Sequence, residues 1–236
     1  MHLQHGGMSD AARSRSRIGL LAGASTVLML AVVAASAYIR ASGGIDVQIA
    51  RGVHRATASS VALLVFALMA LAWGQPRLRA AASAAFVLML ALSAIGWITG
   101  TTPPPAAAYF NQSGGLVITA LLAWIYGRTT GHPPAAPDRK LALVALVFAG
   151  LQAAFGGALA VFAPQAAAGI LILHAAAGLA AAAAVAALGW RYAACAALAP
   201  ALGVFSTLLP AFALQASHAL AAALLLAFAA YAHARA

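Results

Sequence analysis

Apolar runs follow one another along the chain at about 18–39, 55–74, 80–99, 112–127, 141–162, 169–189, 193–209 and 212–232, divided by short polar or Pro/Gly-rich stretches. Each approaches the roughly 20 apolar residues that one helical crossing of a bilayer requires. Within hydrocarbon a helix satisfies its own backbone, so the pattern predicts an all-α membrane protein of eight transmembrane helices. The Pro clusters Thr101 to Pro105 and His132 to Pro137 fall between runs, where irregular backbone can meet water. The first run exceeds the roughly 7 to 15 apolar residues of a cleaved signal, and reads as a retained helix.

Composition agrees with this picture. Of 236 residues 64% are apolar and 7% charged, which leaves no room for a separate soluble domain. Thirteen Lys and Arg oppose three acids, all Asp, for a net charge of +10. In a soluble chain that balance would suggest nucleic acid. Here its placement decides otherwise. With eight spans, Arg13, Arg15, Arg17, Arg77, Arg79, Arg128, Arg139, Lys140, Arg191 and Arg235 share one side, and Arg40, Arg51 and Arg55 the other. The positive-inside rule then puts both termini in the cytoplasm, with the lipid bilayer as the partner and no nucleic acid. The single Cys195 excludes a disulfide framework and a thiolate metal site. The absence of Glu excludes any mechanism that needs a Glu base.

Polar residues inside the runs carry the candidate chemistry. His2, His5, His132 and His233 fall in the tail, a loop and a helix end. His54, His174 and His218 instead stand at the start of runs 2, 6 and 8, which cross in the same direction, so the three share one depth near the outer face. Intramembrane polar residues mark functional sites. Each of these could be a hydrogen-bonding core histidine or a ligand to haem or a metal. Four residues on lie Ala58, Gly178 and Ala222, small enough to admit a flat macrocycle on the same helix face. Asn111 takes the equivalent place in run 4. Two four-helix halves follow: 18–127 and 141–236, after a tail 1–17 and joined by a linker 128–140. The second half holds a His174–His218 pair, and the first sets His54 opposite Asn111. Two imidazoles fill the axial positions of a haem iron and suit electron transfer, whereas zinc would be left two ligands short. Arg40, Arg51 and Arg55 border the first site, able to pair with haem propionates or to snorkel to headgroups. Asp46 reads as a solvated loop acid. Trp73, Trp97, Trp124 and Trp190, with Tyr126 and Tyr192, form an interfacial belt.

The stretch Tyr38 to Gly44, then Gly52-Val53-His54-Arg55 with Ala58, resembles the first outer loop and helix 2 of the haem A synthase family of cytochrome oxidase assembly proteins. Leu151-Gln152 followed by Gly156-Gly157 is similar to that family's helix 5, and Pro210 to Leu220 with His218 to the start of its helix 8. The resemblance implies two pseudo-symmetric four-helix bundles in a bacterial inner membrane. It implies a haem b held by His174 and His218. It also implies a first-half site, with His54 as substrate ligand, where a methyl of haem O is oxidised to the formyl of haem A. Arg40, Arg55 and Asn111 would border that haem, and partners would be a haem O synthase or respiratory oxidase subunits.

Three positions depart from the family pattern. Arg51 replaces a Glu, Asn111 replaces the helix 4 His, and the outer-loop Cys pair is absent. A carboxylate that could stabilise a cationic intermediate is thereby lost. Two readings result: a haem A synthase-like oxidoreductase, or a non-catalytic haem b-binding or structural subunit of a respiratory oxidase. A transporter finds no support, because no span carries a midplane acid or charge pair.

Overall fold

The computed structural model describes residues 10–42, 47–130, 136–162, 167–209 and 211–236. His2, His5, Gly43, Gly44, Asp46, His132 and Pro210 lie outside the described residues, as do the side chains of Trp190, Arg191 and Cys195.

Eight helices follow in order: α1 (Asp10–Ala41), α2 (Gln48–Ala72), α3 (Pro76–Thr99), α4 (Pro105–Thr129), α5 (Arg139–Phe162), α6 (Ala167–Ala187), α7 (Trp190–Leu208) and α8 (Phe212–Arg235). The fold is all-α and multi-pass in a membrane, with six helices among the described residues (α1, α2, α3, α5, α6 and α8) long and apolar enough to cross it. In α4 the apolar run is broken near its start by Asn111, Gln112 and Ser113. In α7 the apolar stretch is the shorter Tyr192–Leu208, with Pro200 inside it.

The helix ends have local causes. Pro76 and Pro105 open α3 and α4, where the missing N–H would be unpaired anyway. Gly100 (φ 62°) after α3 and Gly189 (φ 145°) between α6 and α7 adopt backbone that other residues avoid. The Leu141 N–H donates to Asp138 Oδ1 at 2.8 Å, capping α5.

Consecutive helices pack on each other, α1 also packs on α4, and α5 on α8, so each half closes a ring of four. The halves meet where α8 lies against α4 and α1, and where α4 lies against α5. Each ring has its own core: Ile18, Val61, Leu68, Ile118 and Leu122 in the first, Ala145, Ala181, Val185, Ala223 and Leu225 in the second. One difference separates them. Across the second ring α6 touches α8, whereas among the described residues α2 and α4 make no such contact.

In the second ring size, rather than polarity, sorts many residues: Ala145, Ala181 and Ala223 line its interior while Ile172 and Leu179 face outward. In the first ring Leu63 and Trp97, the last 87% exposed, do the same beside a core of large aliphatics. Lipid is as apolar as Leu, so helix association relies on close packing of small residues. Gly127 shows this at the seam: a Cβ there would stand 2.8 Å from the Tyr231 carbonyl oxygen and 2.8 Å from the Ala234 Cβ. The start of α1 and the ends of α4 and α8 come together at one end, where Gly19 faces Thr129 and Arg235 donates to Thr130 Oγ1 at 3.4 Å. We call this the terminal end. The helix order places ten of the basic residues there, and Arg40, Arg51 and Arg55 at the far end.

Candidate functional site

His54, Asn111 and His218 each lie six residues past the first residue of α2, α4 and α8, and His174 seven past that of α6. All four stand at one level, nearly two turns inside the far end rather than at the helix starts. Every helix but α8 begins before its apolar run does: in α2 the stretch Gln48 to Arg55, with Gln48, Arg51, His54 and Arg55, is already helical.

The structure brings His174 and His218 together, with ring centroids 5.7 Å apart and planes at 85°. Nδ1 of His174 lies 2.9 Å from the Gln152 carbonyl oxygen in α5. Nδ1 of His218 lies 3.0 Å from the Ala199 carbonyl oxygen in α7. A carbonyl can only accept, so each Nδ1 carries the donated proton, and in the neutral ring Nε2 keeps its lone pair.

Each ring reaches its carbonyl through a notch. Along a helix the Cβ of residue i+4 overhangs the face of residue i, and here that residue is Gly156 for Gln152 and Gly203 for Ala199. A Cβ on Gly156 would stand 2.8 Å from His174 Cε1, and one on Gly203 3.1 Å from His218 Cε1. In the first half Ser36 fills the same role, its Oγ 3.0 Å from His54 Nδ1. The separation of 18 in Ser36–His54 recurs in Gly156–His174, and the 15 of Gly203–His218 recurs in Gly96–Asn111. In that fourth hairpin a Cβ on Gly96 would meet no atom within 4 Å. Asn111 leaves open the notch that a histidine ring occupies elsewhere.

Arg40 is half-buried and Arg55 exposed, both near enough for their charges to act on the His54 ring; Arg51 is half-buried one turn before it. Gln152 is buried (3% exposed) and its Oε1 has no hydrogen-bond partner. Its Cγ lies over Gly178, 3.2 Å from where a Cβ would be, so the small residue after His174 makes room for this glutamine. Gln112 Oε1 and Ser113 Oγ on α4 are likewise buried without partners. Rarity of intramembrane His pointed to His54, His174 and His218; Gln152 and Gly156 entered the sequence reading only through a resemblance, and nothing pointed to Gly203 or to Gln112. Trp73 and Trp97 are exposed near helix ends, as an interfacial belt requires, and Trp124 lines a cavity.

Among the described residues no group of three or more His, Cys, Asp or Glu could hold a metal ion. The donor set is two imidazoles. It suits a group that brings its remaining ligands with it, as a porphyrin does. No family model and no curated protein matches the chain.

Proposed function

We propose that the chain is a haem A synthase-like membrane haem protein, with a haem b between His174 and His218. One observation carries the reading: two histidines face each other at one depth, each held through Nδ1 by a backbone carbonyl. With ring centroids 5.7 Å apart, His174 and His218 leave room for a metal between two imidazoles and would be the residues that hold such a group. Bound there, such a group supplies one-electron chemistry. The Gln152 and Ala199 carbonyls fix the tautomer and angle of each ring and raise the basicity of Nε2. The buried Gln152 Oε1 beneath His174 offers an acceptor to whatever enters the ring of helices.

In the first half His54, oriented by Ser36, would hold substrate haem O; taking its methyl to the formyl of haem A (R–CH3 + H2O → R–CHO + 4 H+ + 4 e−) requires a one-electron acceptor, which the second-half haem would reach as the electron path. Arg40 and Arg55 lie where they can hold propionates bidentately, and Asn111 borders the open face. All eight helices cross the membrane as two pseudo-symmetric bundles, a reading supported by the recurring separations of 18 and 15. Ten basic residues at the terminal end support cytoplasmic termini in a bacterial inner membrane. A haem O synthase or respiratory oxidase subunits are the partners this reading implies.

A second reading, a non-catalytic haem b-binding or structural subunit of a respiratory oxidase, is favoured by Asn111 beside the open Gly96 notch and by Arg51 where the family has Glu. Extraction of haem from the purified protein separates the two. Haem A or O together with b supports the synthase, b alone supports the subunit, and no haem refutes both. His174→Ala and His218→Ala should each abolish the two-histidine low-spin spectrum.

A further inference from the structure

A cavity of about 520 Å³ opens between α3, α4, α5 and α8, where the halves meet. Its wall is apolar, built from side chains such as Leu116, Leu121, Leu146 and Leu226 among Ala and Gly. Polar groups stand only at its limits, Ser113 toward the far end and His233 at the terminal end. Gly150 lines it, and a Cβ there would meet nothing within 4 Å.

The terminal mouth is basic. The Arg128 guanidinium sits 5.7 Å over the ring of Trp124, which lines the cavity, and donates to the Ala234 carbonyl at 3.1 Å. The charges of Arg128 and Arg139 act on His233, and Lys140 follows in the chain. His233 Nδ1 is buried without a hydrogen-bond partner. Asp138, next to Arg139 in the chain, already accepts the Leu141 N–H at its Oδ1. An apolar slot too poor in polar groups for water thus ends at the interface in clustered positive charge. That is the complement of an amphiphile with an anionic head, and basic pockets between helices hold such lipids.

We propose that this cavity is a specific site for an anionic glycerophospholipid. One acyl chain fills the apolar space, and the phosphate sits at the mouth between Arg128, Arg139 and His233. The cavity supplies seating, and the cations supply preference over a zwitterionic head. The proposal is independent of haem.

Native mass spectrometry and thermal unfolding of the full chain, with dioleoylphosphatidylglycerol or dioleoylphosphatidylcholine added to the micelle, test it. One phosphatidylglycerol should be retained per chain and should raise the melting temperature, while phosphatidylcholine does neither. Exchanging Arg128 and Arg139 for Gln together should weaken retention by about tenfold or more. Gly150→Leu, whose Cβ meets no atom within 4 Å and whose side chain takes up cavity space while leaving the surface charge unchanged, should abolish retention. Retention that survives Gly150→Leu would reduce the site to surface attraction and overturn the proposal. Equal binding of phosphatidylcholine, or a quinone retained in place of phospholipid, would overturn it too.

Discussion

Gly156→Ala tests the His174 notch directly. The added Cβ would lie 2.8 Å from Cε1 and 3.1 Å from Nδ1 of the ring, where carbon atoms settle at about 3.5–4.0 Å. The imidazole must retreat by about 1 Å to restore that spacing. Its Nδ1, now 2.9 Å from the Gln152 carbonyl, then leaves hydrogen-bonding range. Overpacking costs about 1–3 kcal/mol and the lost bond about 0.5–1.5 kcal/mol. Helix propensity returns about 0.5–1 kcal/mol. A net loss of about 1–3 kcal/mol of stability is expected. If His174 ligates haem, loss of its outer-shell partner should weaken retention by about 10- to 100-fold. Gly203→Ala, with its Cβ 3.1 Å from His218 Cε1, should do the same more mildly. Gly169→Ala, in open space on α6, should do neither. The assay is haem content after size exclusion, with the low-spin absorption spectrum and the melting temperature. If Gly156→Ala retains haem and spectrum as Gly169→Ala does, the notch does not hold the ring and the reasoning fails.

Three further outcomes are expected. Asn111→His, entering the open notch at Gly96, should raise haem per chain and add a second low-spin component; an unchanged stoichiometry would contradict the register between Gly96–Asn111 and Gly203–His218. Gln152→Leu removes a buried carbonyl oxygen without a partner, so the haem-free protein should gain about 1–3 kcal/mol and melt higher; a lower melting temperature would mean that Gln152 is satisfied by an internal water or ion. Gly127→Ala forces a Cβ to 2.8 Å from the Tyr231 carbonyl oxygen at the α4–α8 seam and should cost about 1–3 kcal/mol in thermal unfolding, with no change at the His174–His218 pair.

Hydropathy alone located eight elements and their order, because each helix is built around one apolar run. It set the starts of α2 and α4 about two turns late, at 55 and 112 rather than at Gln48 and Pro105. Hydropathy registers burial in lipid, so Arg51, His54 and Arg55 in α2 and Asn111 in α4 interrupt the run although the helix continues through them. The inward face of each helix was not legible. Most helices are apolar all round, and the choice between Ala181 inside and Leu179 outside is made by size. The His pair stood out because ionisable residues in apolar runs are rare. The notches were legible in part: Gly156 entered with Gln152 through a resemblance, whereas Gly203 is one glycine among 21, and its separation from His218 acquires meaning only once the hairpin partner is known. The cavity was wholly hidden, since it arises from small residues on four helices that meet only in the fold.

The two halves repeat one local device and differ in what surrounds it. In three hairpins a histidine is pinned to the preceding helix, twice through a carbonyl bared by glycine and once through the Ser36 hydroxyl. Only in the second half does the diagonal close, α6 on α8, so that two pinned rings face one another. On the haem reading a site with two fixed imidazoles is coordinatively full, which restricts it to passing electrons. The first half has no α2–α4 contact among the described residues, a single pinned ring, and Asn111 beside an open notch. On the same reading bond-making chemistry would belong there, where a single imidazole would leave a coordination position free. Loss of the second histidine is compatible with substrate turnover in a way that loss of His174 or His218 is not. Asn111 alone thus does not decide between the synthase and the non-catalytic subunit, and the weight falls on Arg51. On the haem A synthase reading, Arg51 sets a positive charge where that family sets a Glu, beside a ring that already feels Arg40 and Arg55. A cationic intermediate at that spot would face several positive charges and, among the described residues at the far end, no acid.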